Sequence, residues 1–92
     1  MMQNTLATVY IRNALELIRQ EQRTSREIHQ VYSGLQKRLV KADKSVSGGF
    51  AENFLSNPFI STALGILEKF SGNYKIKQAL KLLKEAGAEV GR

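Results

Sequence analysis

From residue 5 to residue 42 the chain carries no proline, its apolar residues return at the helical period, and the pattern then stops at Ser45-Val46-Ser47-Gly48-Gly49-Phe50. No other feature constrains the fold as much. A charge-rich helical arm has to end at the glycine pair, where two residues without a Cβ free the backbone. The chain beyond has to fold back to cover the arm's apolar side.

Leu6, Tyr10, Ala14 and Leu17 share one helical face, and so do Ile28, Tyr32, Leu35 and Leu39. Drawn on one uninterrupted helix, both sets fall in the same sector of roughly 80°. A 4-3 alternation through Ala7, Tyr10, Ala14, Leu17, Glu21, Thr24, Ile28, Val31 and Leu35 adds a trace of coiled-coil spacing. Two arrangements follow. One is a single helix of about 38 residues, near 57 Å long at about 1.5 Å per residue. The other is a pair of helices jointed near Arg23, where Thr24-Ser25-Arg26-Glu27 matches a capping box with Thr24 as the cap. The shared phase favours the single helix. Gly34 reads either as a tolerated helix glycine or as a place where another backbone comes close.

After the glycines, Phe50, Ala51, Phe54 and Leu55 suggest a short helical turn. Asn57-Pro58 then opens a new helix, with Asn as cap and proline at the first helical position. Its apolar residues Phe59, Ile60, Ala63, Leu64, Ile66, Leu67 and Phe70 cover an arc of roughly 160°, which suits a central helix. Ser71-Gly72-Asn73 ends it and caps the last helix. There Ile76, Ala79, Leu80, Leu83, Ala86 and Val90 line one face, Lys77, Lys81 and Lys84 the other, and Lys75 a flank. Gly87 and Gly91 predict a weak end. The fold expected is all-α: a single helical domain over residues 1–92, hinged at 43–50. It would be a helical hairpin or small bundle, in which a long N-terminal helix, with a break near Arg23 as the alternative, precedes two or three shorter ones.

Ninety-two residues without cysteine leave helix packing as the source of stability, since disulfides and thiolate-bound metal are ruled out. The cytoplasm is the favoured location, and secretion without a classical signal peptide is left open. The longest mostly apolar stretch, residues 58–67, is about half of the ~20 residues a membrane span needs. The net charge of +6 favours acidic partners. It is spread out, with eight basic and four acidic groups in residues 1–47 and six and four in residues 48–92.

Nothing in the chain points to an enzyme, a cofactor, a metal or a small-molecule substrate. His29 is the single histidine, and Glu27 beside it projects about 200° away on a helix. Gly48-Gly49 follows no strand and precedes no phosphate-loop lysine. The function expected is therefore binding: a small protein–protein interaction module, self-associating or part of a larger assembly. Its expected interface residues are Tyr10, Leu17, Ile28, Leu35, Phe59, Leu64, Leu67 and Phe70. The reason is geometric, since a 57 Å arm outruns the helices available to cover it. Non-specific nucleic-acid binding through Lys75, Lys77, Lys81 and Lys84 is a less favoured alternative. The turn at Ser71-Gly72-Asn73 has the length of a helix-turn-helix, but Glu68 and Gln78 stand where that motif wants small and apolar residues. Attachment to a membrane surface by residues 58–70 is another alternative, although Lys69 is the only cation on that helix's polar face.

The helix–glycine–helix layout resembles the WXG100-type secreted hairpins, with Ser47-Gly48-Gly49-Phe50 in place of their Trp-x-Gly turn. Size, basic charge and the several-helix pattern are similar to those of pediocin-type bacteriocin immunity proteins, whose resemblance implies a membrane-associated role. With no shared motif, neither resemblance assigns a role to any residue.

Overall fold

A computed structural model describes residues 5–44 and 49–91. Five helices follow in order: α1 (Thr5–Gln20), α2 (Arg26–Asp43), α3 (Phe50–Leu55), α4 (Phe59–Glu68) and α5 (Tyr74–Val90). The fold is all-α, as the apolar periodicity predicts.

The arm is broken, and the single 57 Å helix does not form. Past Gln20 the backbone tightens into a turn, with the amide of Glu21 donating to Ile18 O at 3.0 Å and that of Thr24 to Glu21 O at 3.1 Å. Ser25 is extended (φ −158°, ψ 139°), and its side chain accepts from the Glu27 amide. The cap is thus Ser25 and not Thr24, whose hydroxyl donates back to Glu21 O at 2.7 Å. The cause is local: residues 19–27 contain no apolar side chain to hold a helix against a core. A serine cap contributes about 1 kcal/mol, and folding back covers both apolar faces.

The break also frees α1 from α2's phase. Its buried residues are Ala7, Ile11, Ala14, Leu15 and Ile18. This face is turned about 90° from the stripe through Leu6, Tyr10, Ala14 and Leu17, at 100° per residue. Leu6 is left 45% exposed. In α2 the expected face holds at Ile28, Leu35 and Leu39, with Val31 and Ala42 completing it and Tyr32 half-buried.

The helices pair antiparallel. Lys75, at the start of α5, donates to Gln20 at the end of α1, so α5 runs back along α1. Their facing residues alternate small and large: Ala7, Ile11, Ala14, Ile18 on one helix and Ile76, Ala79, Leu83, Ala86 on the other. Alanines seven residues apart let the two backbones approach, and this is the most extensive pairing in the molecule. In the second pair, Lys69 just past α4 reaches Glu27 in the first turn of α2, while Phe59 at the start of α4 meets Gly34. Helix α3 contacts α1, α2 and α5. It supplies Phe54, the largest fully buried side chain.

Among the described residues no polar or charged side chain is buried. The longest dimension is 39 Å, so nothing among the described residues extends like the single arm. α4 is less central than its wide stripe predicts: Ile60, Ala63 and Leu67 are buried, while Phe59, Leu64, Ile66 and Phe70 are only partly so. Asn57 caps it as expected, its Oδ1 accepting from the Phe59 amide at 2.9 Å. α5 continues through Gly87 to Val90. Of the hinge at 43–50, residues 45–48 lie outside the described residues. On either side Asp43 ends α2 and Gly49 precedes α3.

Candidate functional site

The residues expected at an interface divide by burial. Ile28, Leu35 and Leu67 are at most 1% exposed and belong to the core. Tyr10, Leu17, Phe59, Leu64 and Phe70 are half-buried and pack against it. With the arm broken, the α2 part of the stripe is covered, while on α1 Leu6 and Val9 stay 45% exposed and Tyr10 and Leu17 half-buried.

The surface with the most to offer a partner is the outer side of α5. Tyr74, Lys77, Gln78, Lys81, Lys84, Glu85 and Ala88 recur at the 3–4 spacing of one helix face, an arc of about 120° at 100° per residue. They line an open groove of about 900 Å³, to which α4 and the following turn add Glu68 and Ser71, and Leu80 a floor. Tyr74 is 73% exposed, the most exposed large hydrophobic residue of the described chain. Its hydroxyl accepts from Gln78 Nε2 at 3.1 Å, which fixes the ring along the helix.

The charges differ in how committed they are. Lys84 is 3.6 Å from Glu68 across the groove. Lys77 and Lys81 have no ion-pair partner among the described residues. Lys75 is a correction to the expected set. It turns away from the groove, donating to Gln20 Oε1 at 2.8 Å and lying 3.9 Å from Glu21 Oε2, so it ties α5 to α1. The Tyr74 side of the groove was not anticipated, although its spacing from Lys77 and Lys81 (i, i+3, i+7) could have revealed it.

His29 Nδ1 lies 3.0 Å from Gln22 Oε1 on the exposed surface. No group of three or more His, Cys, Asp or Glu side chains among the described residues could hold a metal ion. No described helix is long and apolar enough to cross a membrane. Compared with protein-family models, curated proteins and solved structures, the chain matches none.

Proposed function

We propose that this protein is a non-enzymatic protein-binding module that takes an acidic helical segment along the outer face of α5. The observation that carries this reading is the groove in which exposed Tyr74 stands beside the uncommitted ammonium groups of Lys77 and Lys81. Two lysines one helical turn apart match carboxylates at the same spacing on a partner helix. The tyrosine offers a rigid apolar plate with a polar tip, the kind of side chain that anchors interfaces.

A polyphosphate strand suits the groove less well, because its charges are continuous and must also meet Glu68 and Glu85, whereas a helix can place its carboxylates at Lys77 and Lys81 alone. A second copy also suits it less, since each chain carries +6. Contacts of this exposed kind steer association more than they tighten it. The complex is therefore weak and sensitive to salt.

The test is a titration of isotope-labelled protein, followed by NMR. The probe is a capped helical peptide of Glu, Ala and Leu, run beside a Lys-containing counterpart and a single-stranded oligonucleotide. The acidic peptide should shift the amides of Tyr74, Lys77 and Lys81, and added salt should reverse the effect. The double reversal Lys77→Glu, Lys81→Glu should weaken binding at least about tenfold. Binding of the oligonucleotide in place of the peptide would assign the face to phosphate, and no shift on α5 with any probe would end the proposal.

A further inference from the structure

A second recognition feature lies away from α5 and does not depend on it. Arg38 and Lys41 on α2, Asn53 on α3 and Asn57 in the α3–α4 turn line a small notch of about 160 Å³, closed on one side by Ala42. Among the described residues no carboxylate lines it.

Arg38, Lys41 and Asn57 bring mainly hydrogen-bond donors to it. The Arg38 guanidinium lies over the Phe59 ring, 4.1 Å from the centroid. One of its N–H groups donates to Gly34 O at 3.1 Å. An arginine has five N–H donors and no acceptor, so most of the fork is unspent, and its position is already fixed by the ring beneath it. Asn57 commits its Oδ1 to the Phe59 amide. Its remaining capacity is the two N–H groups of its amide. Lys41 has no ion-pair partner among the described residues, and it adds up to three more donors.

The geometry points to a binding site for a single phosphate group, held by the Arg38 fork, the Lys41 ammonium and the Asn57 amide. A tetrahedral oxyanion presents acceptors in several directions, and these donors come from two separate parts of the chain. Charge-assisted bonds from an arginine fork are the strong kind. Because Phe59 and Gly34 hold the guanidinium in place beforehand, little side-chain freedom is lost on binding. The donors converge on one tetrahedral group, which arrives as free phosphate or as the exposed end of a phosphomonoester.

Labelled full-length protein titrated with inorganic phosphate, and separately with a simple alkyl phosphate, tests this at constant ionic strength set with chloride. Amides around Arg38, Lys41 and Asn57 should shift and saturate, with a half-point on the order of 1 mM. Saturation with phosphate alone identifies the free ion as the ligand, and saturation with both identifies the phosphoryl end. Asn57→Asp is the decisive variant: it keeps the acceptor for the Phe59 amide, and a carboxylate suits the N-terminus of α4. It also replaces the donors with a negative charge, so saturation should disappear while the rest of the spectrum stays in place. Lys41→Gln, at an exposed position, should raise the half-point about fivefold to tenfold. Shifts that rise linearly, that appear equally with chloride, or that persist in Asn57→Asp would overturn the site.

Discussion

At the scale of single residues, Gly34 has the clearest physical reason for its identity. A Cβ there would lie 2.5 Å from the tip of the Phe59 ring, whose face carries the Arg38 guanidinium. Alanine would gain about 1 kcal/mol of helix propensity, while overpacking costs about 1–3 kcal/mol. Overpacking should win, so Gly34→Ala should lower the denaturation midpoint. In a Phe59→Leu background the same change should raise it. Gly65 and Gly87 have nothing within 4 Å of a built Cβ. Alanine at either should stabilise the protein by about 1 kcal/mol, measured as a higher urea midpoint at unchanged slope.

Asn73 works in two directions. Its Oδ1 accepts from the Ile76 amide at 3.1 Å, capping α5, and its Nδ2 donates to Glu21 Oε1 at 2.6 Å. Aspartate is ordinarily an equal cap. Here it would keep the first bond, lose the second and face a carboxylate. Asn73→Asp should therefore destabilise, and Asn73→Ala should cost about 2 kcal/mol, for the cap and for the donor taken from Glu21. Thermal melts of the two variants check this.

At the scale of elements, legibility followed from how local each signal was. Asn57, Asn73 and the Ile76–Ala86 face of α5 could be read correctly because a cap and a period within one helix need no tertiary information. The buried face of α1 could not be read that way. The phase of α2 was carried back across residues 21–25, which selected Tyr10 and Leu17 and passed over Ile11, Leu15 and Ile18. A joint without glycine or proline leaves no strong mark in the sequence, and only the capping-box pattern at residues 24–27, read with Thr24 in place of Ser25 as the cap, points to it. The site was half legible: three lysines of the α5 face were visible, but not the turning of Lys75 toward α1, nor the notch, whose parts are about 20 residues apart in the chain.

α1 also carries the one strongly displaced carboxyl group among the described residues. The Arg19 guanidinium bonds both oxygens of Glu16, at 3.0 and 2.6 Å, and Gln20 adds a third bond at 3.2 Å. Chiefly through the Arg19 hydrogen bonds, the Glu16 pKa is lowered to about 2. A carboxyl lowered in the folded state stabilises above its unfolded value of about 4.3, and the benefit fades as pH falls through the folded value. Glu16 is exposed to solvent, so the effect on stability is small and is better sought in the side chain itself. Its carboxyl carbon should titrate near 2 by NMR, and Arg19→Gln should move that midpoint upward.

At the scale of the whole molecule, five helices share one apolar core with no buried polar side chain among the described residues. No helix has a core of its own, so unfolding should be a single transition, with far-UV circular dichroism and tyrosine fluorescence changing together. Phe54→Ala empties the position at which α3 meets the rest and should cost about 3–5 kcal/mol. It should shift both signals equally, and two separated transitions would show that α1–α5 and α2–α4 are independent units.

The pairing of α1 with α5 has a consequence for the chain as it is synthesised. Residues 5–20 leave the ribosome well before residues 74–90, the helix that covers most of their apolar face. Until α5 emerges, Ile11, Leu15 and Ile18 lack the most extensive part of their native cover, with only α2 and α3 to lie against. The core can close only after the last of these helices has emerged, which makes folding a late, all-at-once event and makes the nascent N-terminal helix the segment most in need of protection by chaperones.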